Sequence, residues 1–93
     1  MQLSSLIQSI DIIKTIGSTD VEIANVQFDS RKATEGSLFI ATRGTATDGH
    51  QYISKAIEQG AIAVVCEELP ESLNDKVTYI LTDSSSEALG QIA

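Results

Sequence analysis

Basic residues are scarce in this sequence. It has 6 lysines and arginines against 13 acidic residues, which gives a formal net charge of −7. Proteins that bind nucleic acid hold the phosphate backbone with clustered lysine and arginine side chains. Amphipathic helices that lie on anionic membranes carry the same residue types along one face. The basic residues here are scattered along the chain, so neither nucleic acid nor a membrane surface is an expected partner.

Cysteine and histidine each occur once, so an internal disulfide is impossible and a metal site built from these residues is not expected. Cys66 ends an apolar run, and the two glutamates that follow it disfavour a reactive thiolate. We therefore expect a buried structural thiol, and we interpret His50 as a residue in the first turn of a helix. The Gly-x-x-x-x-Gly-Lys-Ser/Thr loop that binds ATP is missing as well. No catalytic residue, metal or cofactor is expected in this chain.

Long apolar runs are also missing. The longest covers residues 61–66 and is far shorter than the roughly 20 residues that span a bilayer. The N-terminus has no basic region followed by an apolar segment, which is the pattern of a secretory signal peptide. Together with the single cysteine, these features favour a cytoplasmic protein.

Apolar periodicity predicts a small α/β domain. Helical spacing over residues 3–13 predicts a short amphipathic helix. A second helix is predicted from Asp48 as N-cap to about Gln59, with Gly60 placed for a left-handed C-terminal cap. This helix connects two apolar strands, which is typical of a right-handed βαβ crossover. The predicted strands are residues 21–28, with a slip near Asn25, residues 38–41, residues 61–66 and residues 77–81.

The expected fold is therefore a small mixed sheet with flanking helices. A last helix is predicted to begin at Ser84, Ser85 or Ser86. Because no glycine cap, proline or polar tail closes it before residue 93, we interpret the chain as part of a longer polypeptide.

Two polar turns flank the strand predicted at residues 38–41. The first polar turn is Asp29-Ser30-Arg31, and the second polar turn covers residues 44–50. The first offers a hydroxyl, backbone N–H groups and a guanidinium, and the second leads into a helix N-terminus that suits a phosphate. Together they could form a binding rim. The alternative is that Asp29 and Arg31 form a structural ion pair and the glycines only shape the turns.

The motifs follow one another in a distinctive order. They are Asp29-Ser30-Arg31, Gly36-Ser37-Leu38-Phe39-Ile40-Ala41, Gly44, Asp48-Gly49-His50, Tyr52-Ile53, Ala56 and Gly60-Ala61-Ile62-Ala63-Val64-Val65. In order and spacing this set resembles the N-terminal domain of the Mur ligase family. The resemblance is greatest to members that add the third residue of the peptidoglycan stem peptide.

The resemblance implies a function in substrate binding. In this family the N-terminal domain holds the uridine diphosphate part of the substrate, here UDP-N-acetylmuramoyl-L-Ala-D-Glu. ATP and Mg²⁺ are implied only for the full-length enzyme, in central and C-terminal ligase domains outside these 93 residues. By position, the family's nucleotide contacts fall on Phe28, Ser30, Thr45, Ala46 and Thr47. Some members carry His-Gln-Ala at the last three positions, so a backbone contact is retained there but an imidazole contact is not.

Two alternative functions are consistent with the same residues. A sister ligase that adds D-alanyl-D-alanine shares the Asp-Ser-Arg and Asp-Gly-His motifs. From another class, an acidic module that binds a protein partner would need an exposed apolar patch away from the two polar turns, and it would be indifferent to Ser30→Ala.

Overall fold

A five-stranded mixed sheet organises the chain in the computed structural model, which describes residues 2–8, 12–41, 49–70 and 73–83. The elements in chain order are α1 (Leu3–Leu6), β1 (Ile12–Ile16), β2 (Asn25–Gln27), a 3₁₀ helix (Ser30–Lys32), β3 (Ser37–Ile40), a second 3₁₀ helix (Gly49–Tyr52), α2 (Ile53–Glu58), β4 (Ala63–Cys66) and β5 (Thr78–Thr82). The strand order is β1-β5-β4-β3-β2. Neighbours from β2 to β5 are parallel, and β1 is antiparallel to β5. This architecture confirms the predicted α/β fold with a mixed sheet.

The central strands separate two apolar layers. β3 and β4 are buried at every position, as expected for parallel strands that are covered on both faces. Because side chains alternate along a strand, Leu38 and Ile40 pack in one layer with residues of α1. Phe39 packs in the other layer with Ile53 and Ala56 of α2.

The crossover between β3 and β4 ends as the sequence predicts. β3 and β4 are parallel neighbours joined through α2, which confirms the βαβ unit. α2 ends at Glu58, and Gly60 adopts a positive φ of 114°. The Ala61 N–H then donates to the carbonyl of Ala56 at 3.0 Å, so a left-handed residue closes the helix as proposed. The predicted N-cap, Asp48, lies outside the described residues, as does the predicted last helix from Ser84.

The N-terminal prediction is wrong in part. The helix predicted over residues 3–13 is only the short α1, and Ile12 already pairs with Thr82 in β1. Most residues of β1 are β-branched, which favours a strand when a partner edge is available. The predicted strand over residues 21–28 is also shorter, because β2 begins at Asn25. The slip predicted near Asn25 therefore falls at the start of β2 and not inside a continuous strand.

Gly60 is the position where the backbone approach is tightest. A Cβ atom there would lie 2.6 Å from Glu35 Cα, in addition to the positive φ. We therefore expect Gly60→Ala to lower the free energy of unfolding by about 1–3 kcal/mol, measured by urea denaturation. Gln59→Ala, at an exposed neighbour with an ordinary αR backbone, is the control and should change it by less than about 0.5 kcal/mol. Equal stability of Gly60→Ala and the unmodified chain would contradict this account of the contact.

Candidate functional site

The first polar turn lies where β2 ends, at the edge that the carboxyl ends of the parallel strands share. In the register, Gln27 pairs with Phe39, and Ile40 pairs with Val65. Phe28 and Asp29, the two residues after β2, therefore lie level with Ile40, the last residue of β3, and with Ala41, which follows it. Open parallel sheets bind ligands at this edge, which makes it the candidate site.

Asp29 shapes the turn with both its side chain and its backbone. The Arg31 N–H donates to Asp29 Oδ1 at 2.9 Å, and the Lys32 N–H donates to the Asp29 carbonyl at 3.0 Å. The first bond is an Asx-type turn, and the second opens the 3₁₀ helix that begins at Ser30. One residue therefore sets the direction in which the chain leaves β2.

The same carboxylate binds the Arg31 guanidinium in a bidentate ion pair. Nε donates to Oδ1 at 3.1 Å and Nη2 donates to Oδ2 at 2.9 Å. The ion pair that the sequence left open as an alternative is therefore present. It lies at the surface, since the Arg31 side chain is 82% exposed and that of Asp29 is 24% exposed. An ion pair between exposed groups adds little to stability, so its contribution is mainly to orientation.

The ion pair also changes the proton affinity of both groups. The side-chain hydrogen bond from Arg31, followed by its backbone N–H, lowers the pKa of Asp29 to about 2. In the other direction, the hydrogen bond to Asp29 raises the pKa of Arg31, and Tyr52 adds a smaller electrostatic contribution of the same sign. Both groups therefore stay charged at neutral pH.

Two exposed aromatic residues lie at this edge. Phe28 is 62% exposed directly after β2, and Tyr52 is 39% exposed at the end of the second 3₁₀ helix. α2, which follows Tyr52, packs against the Ser30–Lys32 helix. Phe28 was among the predicted contacts, but Tyr52 was not. Its position just outside the apolar stripe of α2, Ile53 and Ala56, is the signal that could have identified it.

A polar network around the buried Ser37 leads the chain from the first polar turn into β3. Ser37 Oγ donates to Asn25 Oδ1 at 2.7 Å, and Asn25 Nδ2 donates to Thr34 Oγ1 at 3.1 Å. The Thr34 N–H donates to Ser37 Oγ at 2.9 Å. Ser37 is fully buried, so this network fixes both ends of the segment that carries the turn. Sequence reasoning did not find it.

The structure locates only part of the predicted site. Ser30 begins the 3₁₀ helix, but its side chain is outside what the structure describes. Thr45, Ala46 and Thr47 also lie outside the described residues. Phe28 and Ser30 therefore belong to one turn at the sheet edge, and the joining of this turn to the second polar turn stays a prediction.

Cys66 is buried, as the sequence predicts. Burial raises the pKa of this free thiol to about 11, which disfavours the reactive thiolate. In the described ranges, no group of three or more histidine, cysteine, aspartate or glutamate side chains is arranged to hold a metal ion. No helix in those ranges is long and apolar enough to cross a membrane.

Comparison with known proteins identifies the family. Residues 22–93 match the family described as "Mur ligase family, catalytic domain". The chain belongs to the Mur ligase family. It is 49% identical over 90 residues to the UDP-N-acetylmuramoyl-L-alanyl-D-glutamate–2,6-diaminopimelate ligase of Parabacteroides distasonis, a match covering 97% of this chain and 18% of that protein.

Solved Mur ligase structures share the fold. A crystal structure of MurF from Acinetobacter baumannii matches with a TM-score of 0.72 and 25% identity, covering 97% of this chain and 19% of that one. MurF ligase from Thermotoga maritima, solved in complex with ADP, matches with a TM-score of 0.64 and 29% identity, covering 73% of this chain and 15% of that one. The chain therefore spans less than a fifth of the length of these relatives.

Because of its pair with Arg31, the carboxyl group of Asp29 should titrate at a lower pH than an ordinary aspartate. The folded pKa of about 2 lies below the ordinary value of 3.8, so the small stabilisation that this exposed pair gives is present above pH 3.8 and is lost as the pH falls through about 2. Carboxyl ¹³C NMR should give this pKa for Asp29. In Arg31→Met it should rise part of the way towards 3.8, because the two side-chain hydrogen bonds to the carboxylate are lost while the one from the backbone N–H remains.

Lys32→Met is the matched control, since Lys32 makes the smallest contribution to the shift. It should leave the Asp29 pKa close to that of the unmodified chain. An Asp29 pKa near 3.8 in the unmodified chain would show that the bidentate pair does not persist in solution.

Proposed function

We propose that this chain is the N-terminal uridine-nucleotide-binding domain of an ATP-dependent Mur ligase of peptidoglycan synthesis. The full-length enzyme would add the third stem-peptide amino acid to UDP-N-acetylmuramoyl-L-Ala-D-Glu in the cytoplasm. The 49% identity to a ligase named for 2,6-diaminopimelate supports that amino acid as the one added.

The observation that carries the proposal is the geometry of the first polar turn. It lies at the ligand-binding edge of a parallel sheet and presents an exposed aromatic ring at Phe28. Ser30 begins the adjoining 3₁₀ helix, where its hydroxyl and the nearby backbone can serve a nucleotide's carbonyl or phosphate oxygens. Thr45, Ala46 and Thr47 complete the proposed contacts, chiefly through their backbone.

The chemistry of the ligation belongs to other parts of the enzyme in this proposal. We infer that this chain does not hold ATP or Mg²⁺, because the sequence has no phosphate-binding P-loop and the described residues include no group of three or more histidine, cysteine, aspartate or glutamate side chains arranged for a metal ion. ATP and Mg²⁺ would be bound by the central and C-terminal domains of the full-length enzyme. The 93-residue chain would bind substrate and would not catalyse the reaction alone.

The sister ligase that adds D-alanyl-D-alanine is the second candidate. The MurF structures from two organisms favour it through their fold. Their identities of 25% and 29% are well below the 49% to the diaminopimelate ligase. Sequence similarity therefore supports the diaminopimelate-adding type over MurF.

An NMR titration with UDP-N-acetylmuramoyl-L-Ala-D-Glu tests the proposed function, with ADP as the control ligand. We expect saturable shifts at residues 28–31 and 44–50, in this chain and in the full-length protein. Ser30→Ala should raise the Kd about tenfold, because it removes a hydrogen bond to the substrate. Ser4→Ala, at an exposed serine of α1, should leave the Kd unchanged.

The outcomes separate the alternatives. Saturable binding that does not respond to Ser30→Ala favours the protein-interaction module with incidental nucleotide contact. If the full-length protein shows no saturable shift at either polar turn, the proposed function is wrong.

A further inference from the structure

We propose that Arg31 contacts the phosphate groups of the bound uridine nucleotide and that Asp29 is the positioning residue that holds its guanidinium for this contact. The inference rests on the proposed function and extends it, because it assigns recognition of the phosphate groups to a residue outside the predicted contact set. It also gives the ion pair a use beyond shaping the turn.

The guanidinium has donors left over after its contacts with Asp29. An arginine side chain carries five N–H donors and no acceptor. Asp29 uses the Nε donor and one donor on Nη2. Among the described residues, Asp29 alone accepts a side-chain hydrogen bond from Arg31. The side chain is 82% exposed, so an anion from solvent can reach the guanidinium.

Asp29 restricts the motion of this guanidinium. A free arginine side chain has many rotamers, and ordering them on binding lowers affinity. Here the two contacts of the bidentate pair fix the plane of the group. A third contact, from the Arg31 N–H to Asp29 Oδ1, fixes the backbone beneath it. The donors are therefore oriented before a ligand arrives.

The negative charge of the chain means that a phosphate can bind only where hydrogen-bond donors are concentrated. The whole chain carries a net charge of −7, which repels a diphosphate unless donors are concentrated locally. Arg31 and Lys32 are adjacent in the 3₁₀ helix at the candidate site, and α2, which follows Tyr52, packs against this helix. Asp29 offsets the net charge of Arg31, so long-range attraction for phosphate is weak at this turn. Binding would then depend on the oriented N–H groups of the charged guanidinium, which form strong hydrogen bonds to phosphate oxygens.

The two parts of a nucleotide can be measured separately. Uridine lacks the phosphate groups and uridine diphosphate has them, so the ratio Kd(uridine)/Kd(UDP) reports phosphate recognition alone. The test is an NMR titration of the 93-residue chain with each ligand. It compares the unmodified chain with Arg31→Met, Arg31→Lys and Asp29→Asn, and ¹⁵N spectra establish that each variant is folded.

Arg31→Met should lower the ratio about tenfold by removing a charged hydrogen bond, with uridine affinity changed less than about twofold. Arg31→Lys should recover part of the ratio, since it restores the charge but not the planar fork. Asp29→Asn should lower the ratio about threefold, because Asn retains the Asx turn but loses the charged partner that orients Arg31. Lys14→Met removes one positive charge from β1, a strand at the opposite side of the sheet, and should leave the ratio unchanged.

Each contrary result has a distinct meaning. If the unmodified chain prefers UDP but Arg31→Met keeps that preference, or loses uridine and UDP affinity equally, Arg31 has only a structural role and this inference is overturned while the proposed function stands. A higher UDP affinity in Asp29→Asn would show that Asp29 repels the ligand and does not position Arg31. If neither the unmodified chain nor the full-length protein binds uridine or UDP, the proposed function itself is overturned.

Discussion

The parallel register of β3 against its two neighbours is the constraint on which the candidate site depends. The Gly36 N–H donates to the Gly60 carbonyl at 2.9 Å, and the Ile62 N–H donates to the Ser37 carbonyl at 2.9 Å. These bonds align the starts of β3 and β4, where Gly60 lies against the backbone of Glu35. A slip of one residue would exchange the two faces of a strand, and it would also move the first polar turn away from the end of β3.

The buried strands and the helix end were predictable because their causes are local. An uninterrupted apolar run identifies a strand covered on both faces, as β4 is, and Gly60 marks the end of α2 by its own backbone freedom. β1 was missed because its cause is remote: it is a strand only where β5, more than 60 residues later in the sequence, offers an edge. Helical spacing of Leu3 and Leu6 gives no information about such a partner.

The candidate site shows the same division between local and remote causes. Asp29 and Arg31 are two residues apart, so their pairing could be proposed from the sequence, although only the structure shows the bidentate geometry. The packing of α2 against the 3₁₀ helix that carries Arg31 depends on the fold of the whole sheet and could not be seen in a local pattern. The network that joins Asn25 to Ser37 spans 12 residues and likewise exists only once β2 and β3 are parallel neighbours.

The proposed function assigns binding and chemistry to different parts of an enzyme, and the structure of this chain suits the first of these. Binding energy gained far from the reacting atoms can be used to orient them, so a substrate's remote nucleotide can contribute to the rate without contacting a catalytic group. Using binding energy in this way requires a rigid contact surface, because the ordering of a mobile surface on binding reduces the net binding free energy. A turn that Asp29 fixes by accepting three hydrogen bonds from Arg31, and that the network around the buried Ser37 fixes at its other end, meets this requirement.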